Sequence, residues 1–123
     1  MLRYCGPVET ATTRFALEEM TYYGKTIQRG DLVLASLLSA AHDESRFPNA
    51  NQFDIGRKPN KHLAFGYGIL FCLGSPLARL EGAIAFEVLL RRAPHFRLAV
   101  PRDSLEFHPS LLLHAVRKLP VTF

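Results

Sequence analysis

At 123 residues and 48% hydrophobic composition, the chain fits one small domain, large enough to bury about two thirds of the surface its unfolded form exposes. Its 15 Lys+Arg against 11 Asp+Glu leave a net charge of +4, spread along the chain with short clusters at Arg57, Lys58 and Lys61 and at Arg91 and Arg92. That distribution is too diffuse for a nucleic-acid face and reads as a solvated surface.

Two cysteines, Cys5 and Cys72, lie 67 positions apart, and the opening MLRYCGPVET has no apolar signal core. Both features predict a reduced, cytoplasmic setting. The longest uncharged apolar run, LVLASLLSAA, has ten residues, where a membrane-spanning helix needs about 20. No membrane anchor is predicted.

Residues 8–34 alternate and turn rather than wind. TATTRFAL carries strand-favouring residues, YYGKTI has a turn centred on its glycine, and QRGDLVLA sets Arg29, Gly30 and Asp31 before a second apolar run. Together they predict a small antiparallel or mixed sheet. ASLLSAAH predicts a short helix over 35–42. DESRFPNANQFDIGRKPNKH, rich in Asn, Pro and charge, has no sustained period and predicts an ordered, meandering loop rather than an interdomain linker.

Next comes HLAFGYGILFCLGSPLARLEG, where Cys72 sits among glycines ahead of a helical stripe of Leu77, Leu80, Ile84 and Val88. Ser75 is the expected N-cap, Pro76 suits the first turn, and Ala93-Pro94 stops a helix of about 17 residues, roughly 25 Å long. FRLAV predicts a strand. His108-Pro109-Ser110 predicts a turn, and SLLLHAVRKLPVTF a closing strand pair or extended tail. There is no internal repeat and no low-complexity segment.

A cysteine in a glycine-rich loop at a helix N-terminus faces unpaired backbone N–H groups, which favour a thiolate. The residue types allow a nucleophile, a metal ligand, or a small buried apolar side chain. A phosphate-cradling cysteine loop would need an Arg where Ala78 stands, and Leu70 and Phe71 supply no general base. His62 and Cys72 have no zinc-ligand spacing, and Gly66, Gly68 and Gly74 miss the dinucleotide fingerprint because Phe71 takes its third glycine position. A single thiolate suits a group that brings its own remaining ligands, as haem does. Gly68 and Gly74 would then let backbone approach a flat macrocycle, and Phe65 would shield the sulfur.

Phe65-x-x-Gly68-x-x-x-Cys72-x-Gly74 resembles the haem-binding signature F-x-x-G-x-x-x-C-x-G of the cytochrome P-450 monooxygenases, and PLARLEG resembles the start of the following helix in their soluble bacterial branch. LRYCGPVETATTRFAL is similar to the end of the family's conserved helix and the strand after it. GKTIQRGDLVLASLLSAAHDESRFPNANQFDIGR is similar to its hairpin and meander, and the tail to its C-terminal hairpin. The resemblance covers nearly all the chain.

It implies an α+β fold class: the C-terminal portion of the mainly helical cytochrome P-450 fold, with a small β-sheet, a meander, a Cys-ligand loop, one long helix and a C-terminal β-hairpin. Residues 1–123 form a partial domain with no second domain. The implied enzyme is an oxidoreductase that inserts one oxygen atom from O₂ into a small organic substrate. Its cofactor is haem b, and NAD(P)H acts indirectly through a ferredoxin or flavoprotein electron donor.

By the same resemblance Cys72 is the axial thiolate, pushing electron density onto iron to favour O–O cleavage. Phe65, Gly66, Gly74 and Ala78 contact the cofactor, and Arg14 pairs with a propionate. His62 is a second polar contact near the haem edge or a surface histidine. Leu70 stands where many bacterial relatives place a His, so the polar hold on haem is weaker by roughly 1.5–3 kcal/mol, one charge-assisted hydrogen bond. Val8, Thr10, Ala11, Leu112 and Leu113 correspond to segments that line the substrate side. Arg79 is a docking charge for the electron donor or simply solvated.

Arg3 matches the Arg of the family's E-x-x-R motif, whose Glu would fall just before Met1. Gln52 stands where many members carry the meander arginine, with Arg57 a stand-in. The expected reading is therefore a C-terminal fragment. The rival is a truncated, catalytically inactive product that holds haem poorly or not at all; a third reading is a small thiol redox or haem-sensing module.

Overall fold

The computed structural model describes every residue from Met1 to Phe123. The chain divides into two compact units, residues 1–64 with 111–113, and residues 65–110 with 114–123.

The first unit begins with a single helical turn, α1 (Leu2–Cys5). Strand β1 (Arg14–Phe15) pairs antiparallel with β4 (Leu32–Val33), Arg14 opposite Val33 and Phe15 opposite Leu32. Between them β2 (Met20–Tyr22) and β3 (Lys25–Ile27) form a separate antiparallel hairpin. Tyr23 and Gly24 turn it at positive φ, 47° and 71°, the two left-handed positions of a tight hairpin turn. The expected sheet is thus two short antiparallel pairs. Most of TATTRFAL lies outside a ladder: Thr10 bridges to Ser36, and its hydroxyl donates to the Leu111 carbonyl at 2.9 Å.

Helix α2 (Leu37–Ala41) starts where the Ser36 hydroxyl accepts the Ser39 N–H at 3.0 Å, an N-cap that satisfies one of the unpaired donors of the first turn. The meander that follows holds itself by side chains gripping backbone. Asp43 Oδ1 accepts from the Ser45 N–H at 2.9 Å and its hydroxyl at 2.6 Å. The Glu44 carboxylate accepts the N–H groups of Asn49 and Ala50 at 2.9 and 3.1 Å. Asp54 Oδ1 accepts the Gly56 N–H at 2.8 Å. Ala41, Phe47 and Ala50 are buried, with Ala50 fully so.

The second unit is organised by α3 (Ser75–Arg92). Its sequence is rich in Ala, Leu, Glu and Arg, good helix formers, with Pro76 in the first turn. Arg91 and Arg92 in the last turn complement the negative helix end, and Arg91 pairs with Glu87 one turn back. Pro94 bars the α region to Ala93, and the helix ends there. The N-terminus differs from the expectation: Gly74 is the cap position without a side-chain cap, and Ser75 is the first helical residue, 3% exposed.

Strand β5 (Arg97–Leu98) pairs antiparallel with β6 (Val121–Thr122). Between them Phe107 bridges to Val116, where the His108 N–H donates to the Ala115 carbonyl at 2.9 Å and the Arg117 N–H to Glu106 at 2.8 Å. The closing hairpin is therefore a narrow two-point contact inside a wider strand pair. No helix is long and apolar enough to cross a membrane.

Candidate functional site

The loop ahead of α3 is closed by one backbone hydrogen bond, from the Cys72 N–H to the Phe65 carbonyl at 2.8 Å. Inside that closure lies a 3₁₀ turn, Gly68–Leu70, with the Phe71 N–H donating back to Gly68 at 3.1 Å. The path needs Gly66 and Gly68, at φ 77° and 69°, where side chains are strained. A Cβ on Gly66 would also stand 3.3 Å from the Leu70 carbonyl oxygen. Gly74, at φ −79°, is an ordinary conformation, and a Cβ there would lie 3.8 Å from the Cys72 sulfur. Its glycine leaves room beside the sulfur rather than bending the chain.

Beyond Cys72 the chain passes straight into the helix. The Ser75 N–H donates to the Cys72 carbonyl at 3.2 Å, and the Ala78 N–H to Gly74 at 2.9 Å. Phe65 and Phe71 meet edge to face, ring centres 6.3 Å apart. The Arg79 guanidinium stacks over the Phe65 ring at 5.1 Å, and its Nε donates to the Ser75 hydroxyl at 3.3 Å.

Cys72 itself is an exposed residue. Around it Ile69, Leu70, Phe71, Leu73 and Leu77 are exposed apolar side chains, Leu73 at 99%. No cluster of three or more His, Cys, Asp or Glu residues stands together to hold a bare metal ion. One soft donor flanked by exposed apolar side chains fits a haem, whose macrocycle supplies four nitrogens and a flat apolar face.

The predicted cofactor contacts Phe65, Gly66, Gly74 and Ala78 thus share the Cys72 loop and the first turn of α3. Arg14 and His62 belong to the other unit. Arg14 is exposed in β1 opposite Val33. His62 is half-buried, and its Nδ1 accepts the Ala64 N–H at 3.2 Å.

Two placements were beyond the reach of sequence spacing. Arg3 is 3% exposed, donates from Nη1 to the Ala41 carbonyl at 2.6 Å, and stacks on Phe47 and Tyr4 at 5.2 and 5.9 Å. Burial first, then the positive charge of Arg57, holds its pKa below the usual guanidinium value, against an opposing pull from Tyr4. Arg57 grips the Pro48 and Asn49 carbonyls at 2.8 and 2.9 Å, while its Nε is buried without a partner. Gln52 is exposed in a turn. The meander residue whose charge acts on Arg3 is Arg57.

The sequence matches the family model described as Cytochrome P450 over residues 1–119. The chain belongs to the cytochrome P450 family. It is 45% identical over 122 residues to "Polyketide biosynthesis cytochrome P450 PksS" of Bacillus subtilis, covering 99% of this chain and 30% of that protein. It is 46% identical over 121 residues to "Cytochrome P450 monooxygenase PikC" of Streptomyces venezuelae, covering 98% and 29%. The solved structure of the Bacillus subtilis PksS superposes with a TM-score of 0.94 over 98% of this chain and 31% of that one.

P450BioI, solved with an acyl carrier protein bearing hexadec-9Z-enoic acid, superposes with a TM-score of 0.87 at 44% identity, over 99% of this chain and 31% of that one. The P450 chain described here spans about 30% of the curated relatives it matches. Its small strand pairs and long helix are a portion of the P450 fold.

Proposed function

We propose that these residues are the haem-ligating portion of a cytochrome P450 monooxygenase, in which the Cys72 thiolate would hold the haem iron. The observation that carries this reading is the closed loop from Phe65 to Cys72, which sets the exposed Cys72 at the head of α3. Haem, when bound, supplies the chemistry by which one oxygen atom from O₂ enters an organic substrate.

The chain's own residues hold and shield the sulfur. The Cys72 amide is committed to Phe65, so the backbone around the ligand cannot swing freely. Phe65 excludes water from one side, Gly66, Gly74 and Ala78 give the macrocycle close approach, and Arg14 takes a propionate. Residues 1–123 form one part of a single P450 domain in this reading.

The parent protein is cytoplasmic, draws electrons from NAD(P)H through a ferredoxin or flavoprotein, and acts on a small, largely apolar organic molecule. That substrate class suits Val8, Thr10, Ala11, Leu112 and Leu113, and the relatives named for polyketide biosynthesis and solved with an acyl carrier protein.

A second reading has its own observation. Leu77, Leu80, Ile84 and Leu90 on α3 are all more than half exposed, so these 123 residues by themselves are a catalytically inactive fragment that holds haem poorly. Haem titration followed by reduction under carbon monoxide separates the two. Thiolate ligation gives a red-shifted ferrous carbonyl band that Cys72→Ala abolishes and Cys5→Ala keeps. A haem-free or insoluble product establishes the inactive fragment.

A further inference from the structure

We propose that Arg79 is a positioning residue for the Cys72 loop, clamping it to the first two turns of α3 and fixing the direction of the Cys72 sulfur. The two backbone polar groups of Cys72 are tied to two residues: its N–H to the Phe65 carbonyl at 2.8 Å and its carbonyl to the Ser75 N–H at 3.2 Å. Arg79 touches the side chains of those same two residues, stacking on the Phe65 ring at 5.1 Å and donating from Nε to the Ser75 hydroxyl at 3.3 Å. One guanidinium therefore closes a ring of contacts through Phe65, Cys72 and Ser75.

The chemistry of the side chain suits the task. A planar guanidinium can lie flat on an aromatic face while its Nε–H points along the plane to an acceptor. A lysine ammonium keeps the cation–π attraction without that fixed plane. Ser75 is 3% exposed and anchors the inner end. Ser75 and Arg79 stand one helical turn apart, so the helix itself sets the reach. An arginine that only offered charge to a docking partner would need neither contact.

The inference rests on the haem-ligand reading only for its second readout. The first is amide hydrogen exchange on the haem-free 123-residue chain, comparing Cys72 with Ala93, whose N–H donates to Leu89 at 2.8 Å at the far end of α3. Arg79→Gln is expected to speed Cys72 exchange about tenfold, and Arg79→Lys about threefold, from loss of the stacking and hydrogen-bond contributions. Ala93 stays unchanged in both. Phe65→Leu removes the stacking but leaves the Ser75 hydrogen bond, so its rise is smaller than that of Arg79→Gln, and the double variant rises no further than Arg79→Gln, which has already lost that stacking.

An unchanged Cys72 rate in Arg79→Gln, or an equal rise at Ala93, overturns the clamp. The second readout is the ferrous carbonyl spectrum after haem loading. Arg79→Gln moves intensity from the thiolate band to the neutral-thiol band, and Arg79→Lys keeps most of it. An unmoved spectrum overturns the control of the sulfur. A wild-type chain with no thiolate band sinks the haem-ligand reading instead, and the amide rates still decide the clamp.

Discussion

The meander at residues 43–57 and helix α3 reverse the usual expectation of which part of a protein stands on its own. The meander has no regular structure, yet its polar backbone is answered from within by Asp43, Glu44, Asp54 and Arg57, and it closes over the fully buried Ala50. Helix α3 is regular along 18 residues, yet its apolar stripe faces outward. Side chains that bond nearby backbone make an irregular segment locally complete. A helix satisfies its own backbone but draws most of its stability from burying one face. The difference separates a segment whose backbone is answered by its own side chains from one whose apolar face lies uncovered.

The sharpest way to break that comparison is Glu44→Ala. It removes the acceptor of the Asn49 and Ala50 N–H groups at once. Leaving a buried donor unpaired costs about 1–3 kcal/mol, read as a fall in the urea midpoint of the chain with an unchanged slope. A loss below that range would show the meander to be less self-contained than its hydrogen bonds indicate.

On the helix the expectation is the opposite. Ile84 is 52% exposed, so Ile84→Ser changes the stability of this chain by no more than about 0.5 kcal/mol. In the longer enzyme proposed above, with the stripe covered, the same change would cost about 1.5–3 kcal/mol from lost apolar burial. Equal effects in the two contexts would sink the idea that the stripe is an interior face.

Periodicity and motif made some of this legible. The stripe from Leu77 to Val88 and the stop at Ala93-Pro94 predicted α3 to within one residue, because a helix is a local code. The Phe65-to-Gly74 signature marked the loop that the structure closes on Cys72.

What stayed hidden depended on partners distant in sequence. TATTRFAL has the composition of a strand, but a strand exists only where another pairs with it, and β4 meets just Arg14 and Phe15. Ser75 has the identity of an N-cap, but Arg79 one turn on gives its hydroxyl a different role. The choice between Gln52 and Arg57 turned on the burial of Arg3, far earlier in the chain, which no spacing rule reports.

The smallest expected effect tests the meander again through pH. The Ser45 hydroxyl first, then the Ser45 backbone N–H, donates to Asp43 and holds its carboxyl below the ordinary carboxylate range; burial opposes this, and Arg46 adds a further lowering. A carboxyl whose folded pKa is depressed binds protons less readily when folded than when unfolded. Its contribution is fully present above the unfolded value, about 3.9, and fades as pH falls through the lower folded one. The wild-type chain should therefore lose melting temperature more steeply than Asp43→Asn as pH drops below about 4, and the two should run parallel near neutrality. Asp43 is exposed and screened, so the gap is small. Melts at high salt narrow the Arg46 part and leave the Ser45 hydrogen bonds. A pH slope identical in the two proteins would mean that Ser45 grips a carboxylate no more tightly than water does, and that this corner of the meander is held by Glu44 alone.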